Sequence, residues 1–263
     1  MTGPARRQEE IIHLATTTGL PSVEDLSVEF SVPPSAIRRD PATLERPGRR
    51  ARASSEETVR RSHARDPVRQ RAGNTSGAER GIARWAAQQV RSGETVLLDM
   101  GSTVAALARQ LRTARDLTVA TASLAVLQEL SWAESIHVEC LGGTLRSVSN
   151  GFVGPLAEAA LERMTFDRAF LGADGVTAED GICAVDLQQT RFKELVARRA
   201  DRTYVLVLSA ALGRRPFHAW APLPPGWTLV TDESADPASL APFRAHDADV
   251  IVVDAEGIAT VEV

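Results

Sequence analysis

Lysine is nearly missing from this sequence. Lys193 is the only lysine among 30 basic residues, so arginine serves wherever else a cation is needed. Cysteine is almost as scarce. Cys140 and Cys183 fall in expected strands, and neither has a histidine or further cysteine at ligand spacing, which argues against a disulfide framework or a metal site. Both are expected to be small buried hydrophobes in a reducing cytoplasm. No apolar run approaches the roughly 20 residues of a bilayer-spanning helix. The opening residues Met1–Glu10 lack the apolar core of a signal peptide. The expectation is therefore a soluble cytoplasmic chain with no membrane partner, no metal and no cofactor.

What is present suits a globular protein: 263 residues, 43% hydrophobic and 24% charged, enough for one or two domains with a sizeable core. Charge is unevenly spread. Residues 1–78 carry 13 arginines against 10 acids, a net +3, which leaves −7 for residues 79–263. Between Arg46 and Arg71 there are nine arginines and three acids. Such a division suits a segment that faces nucleic acid joined to an acidic body, although a basic linker can also be merely solvated.

The N-terminal segment reads as three short helices. Arg6–Thr17 places Ile11, Ile12, Leu14 and Ala15 on one side and stops at Gly19. Ser22–Asp25 resembles a capping box, with Val23, Leu26 and Phe30 facing inward. After Ser31–Pro33, a third helix starts at Pro34, turns Ile37 inward and exposes Ser35, Arg38 and Arg39. This spacing describes a helix-turn-helix, whose last helix enters the major groove, where Arg38 and Arg39 meet phosphates or guanine edges. A small helical bundle with solvated arginines would show the same pattern.

Arg6-Arg7-Gln8, Ile11, Ser22-Val23, Leu26, Phe30 and Ile37-Arg38-Arg39-Asp40 together resemble the DNA-binding head of the DeoR family of bacterial sugar-responsive repressors. The resemblance implies a winged-helix-like helix-turn-helix (1–46) and, after an arginine-rich linker (47–77), a Rossmann-like, mostly parallel α/β sensor domain (78–263) similar in fold to ribose-5-phosphate isomerase. It also implies three partners: an operator DNA, a phosphorylated sugar effector and further copies of the chain, as a dimer or tetramer. The head departs from the family pattern at three places. Ala36 replaces a threonine, Pro41 replaces a leucine inside the recognition helix, and Arg46–Arg52 replaces the basic wing. An interior proline costs a helix about 3 kcal/mol unless Asp40-Pro41 caps and restarts it.

From Ala78 the pattern changes. Ile82, Ala83, Trp85, Ala86 and Val90 form an amphipathic helix that Ser92-Gly93 ends. Beyond it, short apolar runs alternate with helical segments, the signature of a parallel α/β sheet. Expected strands are Val96–Met100, Leu117–Thr121, Ile136–Leu141, Arg168–Leu171, Tyr204–Ser209, Trp227–Thr231 and Val250–Asp254. Expected helices are Val104–Leu111, Leu124–Leu130, Pro155–Arg163 and Leu187–Ala200. Ligands of such sheets bind beyond the carboxyl ends of the strands. Those ends hold Asp99, Gly101, Ser102 and Thr103, then Thr121, then Gly142 and Gly143, then Gly172, Asp174 and Gly175.

The first of these ends is the most telling. An apolar run turns through Gly101 into a helix whose first N–H groups point at the turn, a seat for phosphate or carboxylate. Ser102 and Thr103 either cap that helix or bind the anion. The order of the strand ends also resembles the DeoR-type sensor. The resemblance assigns the phosphate to Gly101, Ser102 and Thr103, the hydroxyls to Asp99 and Asp174, and a ligand-facing lysine to Lys193. Two departures stand out: Thr121-Ala122 lacks the family's amide, and Leu208–Gly213 lacks a carboxylate and a second lysine. The expected function is a DNA-binding repressor of carbohydrate metabolism, not an enzyme. The rivals are a sugar-phosphate isomerase with Asp174 as general base and Lys193 as enediolate stabiliser, and a sensor that has lost its DNA.

Overall fold

A computed structural model describes residues 76–146, 149–246 and 248–260. The expected head, with Ser35, Arg38 and Arg39, and nearly all of the linker lie outside the described residues.

The described chain opens with α1 (Gly77–Gln89), which starts on a capping box. The Ser76 hydroxyl accepts the Glu79 N–H at 3.1 Å, and the Glu79 carboxylate accepts the Ser76 N–H at 3.0 Å. There follow β1 (Thr95–Leu98), α2 (Ser102–Leu111), β2 (Leu117–Thr121), α3 (Leu124–Leu130) and β3 (Ile136–Cys140). A hairpin, β4 (Thr144–Arg146) and β5 (Gly151–Val153), leads to α4 (Pro155–Leu161) and β6 (Phe166–Gly172). Then come β7 (Gly175–Thr177), β8 (Gly181–Ala184), α5 (Leu187–Arg199), β9 (Ala200–Leu206), β10 (Ala219–Ala221) and β11 (Thr228–Asp232). Helix α6 (Pro237–Ala245), β12 (Asp249–Val253) and β13 (Ala259–Thr260) finish it.

Eight strands form one sheet in the order β13-β12-β11-β9-β6-β1-β2-β3, parallel throughout except that β13 runs against β12. Its central strands are apolar on both faces because both are covered: β1 is Thr-Val-Leu-Leu with its last three residues buried. On one face Ile82 and Trp85 of α1, Val104 and Leu107 of α2 and Val126 of α3 pack in one cluster. On the other, Leu161 of α4, Phe192 and Val196 of α5 and Phe243 of α6 form a second. The mostly parallel α/β architecture expected of the C-terminal region is thus present.

Three details differ from the expectation. Cys183 is buried, and burial pushes its thiol up despite its bond to the Phe217 carbonyl, whereas Cys140 is exposed, because β3 is the sheet's edge strand. The strand expected to reach Ser209 ends at Leu206, and Ser209–Ala211 form a 3₁₀ turn. The cause is Asp232, whose carboxylate accepts the Ser209 N–H at 2.6 Å and its hydroxyl at 3.1 Å, drawing the chain out of the ladder. Helix α6 was not expected. Pro237 and Pro242 interrupt its apolar period, yet Asp236 caps it by accepting the Ala238 N–H.

At the amino-terminal ends of the central strands, buried Arg168 donates to Glu94 at 2.8 Å and to the Tyr204 hydroxyl at 2.9 Å. The Tyr204 ring stacks on Phe170 with centroids 5.0 Å apart. Burial pushes the Glu94 carboxyl up, but hydrogen bonds from Arg168 and the Arg91 N–H outweigh it and hold the group below its usual range. A depressed carboxyl contributes stability above its unfolded-state range and loses it as pH falls through the folded value. Glu94→Gln should therefore lower the unfolding free energy at pH 7 by about 1.5–3 kcal/mol. It should also flatten the acid limb of stability measured by urea unfolding from pH 7 to 3. A variant with the parent's midpoint and the parent's acid limb would show that this pair contributes nothing.

Candidate functional site

In the strand order, β1 is flanked by β2 on one side and β6 on the other. The chain leaving β1 enters α2 on one face, while the chain leaving β6 passes through β7 and β8 to α5 on the opposite face. The connections diverge between these two strands, which makes the crevice at their carboxyl ends the topological switch point, where open α/β sheets bind ligands.

Asp99 follows β1 there. Its N–H still donates to the Phe170 carbonyl at 3.1 Å, and its side chain is completely buried. One carboxylate oxygen, Oδ2, accepts the Gly172 N–H at 3.1 Å and pairs with the Lys193 ammonium from α5. Lys193 also donates to the Gly172 carbonyl at 2.7 Å and is itself buried. The other oxygen, Oδ1, has no hydrogen-bond partner among the described residues. Asp99 and Lys193, both expected to meet the ligand, are partners of each other.

Gly101 is the N-cap of α2, with φ 133° and ψ 160°, and no side chain caps the helix. Ser102 was one candidate cap, but its hydroxyl donates to Glu79 of α1 at 2.6 Å. Thr103 is buried. A β-carbon added at Gly101 would meet nothing within 4 Å, so the approach to the turn is open. No side chain hydrogen-bonds the first N–H groups of the helix, although the Glu79 carboxylate stands against Ser102.

The remaining expected residues divide by role. Thr121 is fully buried; its hydroxyl donates to the Leu98 carbonyl at 2.6 Å and accepts the Ser123 N–H at 3.0 Å. Thr121, expected at the ligand, thus uses its hydroxyl to hold the β2 turn together. Gly143, Gly172 and Gly175 are needed for close approach: a β-carbon would stand 2.6 Å from the Val153 carbonyl oxygen, 2.8 Å from that of Met100 and 2.2 Å from that of Arg214. Gly142, at φ 70°, borders open space. Asp174 is half-buried, and its N–H donates to the Cys183 carbonyl at 3.3 Å. Sequence reasoning missed Glu79, although Ser76 three residues before it is a capping-box signal. It also missed Asp232, which no local motif marks.

Two clefts of about 380 and 370 Å³ lie at the opposite end of the sheet, around Gly93, Asp116 and His137 and around Val90 and Arg115. Neither borders the switch point. Among the described residues no three His, Cys, Asp or Glu side chains group as metal ligands, and no helix is long and apolar enough to cross a membrane.

The described residues thus form an open α/β domain with an uncapped helix start at its switch point. Residues 75–233 match the family described as DeoR C terminal sensor domain. The chain belongs to the DeoR family. It is 29% identical to the putative aga operon transcriptional repressor of Escherichia coli O157:H7, over 96% of this chain and 95% of the relative. To the HTH-type transcriptional regulator GlpR of Haloferax volcanii it is 31% identical, over 95% and 98%. To the glycerol-3-phosphate regulon repressor of Escherichia coli K12 it is 27% identical, over 80% and 83%.

The pairing makes Lys193 a structural test case. Lys193→Met leaves a buried carboxylate without its cation and should cost about 3–5 kcal/mol in urea unfolding. Adding Asp99→Asn removes the orphaned charge and should restore much of that loss. Two independent, additive losses would show that the residues do not pair.

Proposed function

We propose that the chain is a DNA-binding repressor of carbohydrate metabolism that acts in the cytoplasm as a homo-oligomer. In this reading residues 1–46 hold the operator through Ser35, Arg38 and Arg39, residues 47–77 link, and residues 78–263 sense a phosphorylated sugar. Membership in a family whose matched relatives are named transcriptional regulators supports the regulatory role.

The observation that carries the sensor site is the open, uncapped start of α2 beside a buried carboxylate with one unpartnered oxygen. The effector phosphate rests on the N–H groups after Gly101, where the helix dipole favours negative charge and no side chain caps the helix. Asp174 and the Oδ1 of Asp99 accept from sugar hydroxyls, and Gly142 leaves the β3 side of the crevice open. Lys193 acts through Asp99, as a positioning residue. The isomerase reading needs the Lys193 ammonium at an enediolate oxygen, and that ammonium is already engaged by Asp99 and the Gly172 carbonyl.

Operators selected from random DNA by the full chain supply the test. Aldose or ketose phosphates should release the bound DNA, while the same sugars without phosphate should not. Gly101→Ala should keep DNA binding but need about 10–100-fold more effector for release, the equivalent of one or two charge-assisted contacts. Because φ 133° strains any residue with a β-carbon, the readout is effector concentration rather than thermal stability. Release that ignores the phosphate, or the Gly101 change, would overturn the site.

A further inference from the structure

The main sheet ends on β3, and among the described residues nothing pairs with the outer side of that strand. The Leu141 N–H, just past β3, donates to the Thr121 carbonyl at 3.0 Å. Backbone groups alternate sides along a strand, so His137 and Glu139 also turn theirs to β2. Val138 and Cys140 therefore present N–H and C=O groups outward, together with the Ile136 carbonyl. The Ile136 N–H is held by the Ala133 carbonyl at 3.0 Å. Such an edge is a template for another strand, which proteins often blunt with proline or a bulge. β3 contains no proline and pairs with β2 residue for residue.

The side chains of this edge complement one another. His137 and Glu139 project from the same face, 2.8 Å apart and with 68% and 51% of their side chains exposed. In the turn that leads into β3, Trp132 is 91% exposed, and tryptophan is enriched where proteins meet. Two copies of an edge related by a two-fold axis run antiparallel. With the axis at Val138, the middle of the strand, all of β3 is paired. Val138 and its copy exchange both hydrogen bonds, and each Cys140 N–H reaches the Ile136 carbonyl of the other copy. His137 then falls opposite Glu139 of the other copy, at a position where side chains approach most closely. Every imidazole has a carboxylate beside it on its own strand and another across from it. An axis at His137 or at Glu139 would instead oppose like groups, and one at either end of β3 would leave half the edge unpaired.

We propose that the β3 edge pairs with the same edge of a second copy, antiparallel about Val138, and joins two main sheets into one. The inference rests on the homo-oligomer of the reading above and assigns one of its interfaces.

The test is sedimentation of the full chain over a dilution series. His137→Glu sets two carboxylates opposite each other on both sides of the axis and should raise the dissociation constant of this contact about tenfold. Adding Glu139→Lys restores opposite charges across the axis and should bring the constant back to within about threefold of the parent. Disulfide trapping in a Cys140→Ser background reads the register. His137→Cys and Glu139→Cys chains, mixed and oxidised, should cross-link far faster than either variant alone. Facing Cα atoms stand about 4.5 Å apart, whereas like positions lie on a diagonal of about 7–8 Å. A monomeric parent would overturn the homo-oligomer and this interface together. An oligomeric parent that ignores His137→Glu, a loss that Glu139→Lys does not repair, or mixed variants that cross-link no faster than single ones would overturn the β3 contact and leave the homo-oligomer standing.

Discussion

The carboxyl end of this sheet depends on one buried ion pair. Removing Asp99 and Lys193 from water costs several kcal/mol per ion, and their mutual attraction offsets that only with further hydrogen bonds in place. Gly172 provides both, its N–H to Asp99 and its carbonyl to Lys193. Three elements that share no chain continuity, the ends of β1 and β6 and the middle of α5, are thereby held in one arrangement. A lysine is the fitting cation, because a compact ammonium reaches two oxygens in a space too small for a planar fork. In a chain with a single lysine, this is where it sits.

Pinning β1 to β6 at this point also shapes what is left over. The pair consumes one oxygen of Asp99 and leaves the other without a partner among the described residues, while Glu79 occupies Ser102 and so denies α2 its nearest cap. The result is a helix start without a side-chain cap, next to a buried carboxylate oxygen that has no partner among the described residues. In the proposed reading, a polar ligand bound there would be felt by all the elements that meet at this point.

Much of this was legible in the sequence. The parallel α/β class, all seven expected strands of the main sheet and the helices between them other than α6 follow from apolar runs and their spacing, with ends displaced by a few residues. The strand-end residues Asp99, Gly101 and Gly172 do meet at one place. Their division of labour was not legible. Whether Thr121 faces a ligand or its own turn depends on a carbonyl 23 positions away, and the pairing of Lys193 with Asp99 spans 94 positions. Cys140 was misplaced for a similar reason, because strand order decides which strand becomes the edge. Ser209 left its strand only because of Asp232, a contact that no local pattern announces. Helix α6 was hidden by the two prolines it tolerates.

The account turns on whether a phosphate sits at the start of α2. Backbone amide NMR of the full chain, titrated with fructose 6-phosphate and separately with fructose, addresses this directly. The predicted result is a saturable shift of the Gly101, Ser102 and Thr103 amides with the phosphorylated sugar and none with the parent sugar. Shifts confined to the cleft around Gly93, Asp116 and His137, with Gly101–Thr103 unmoved, would contradict it.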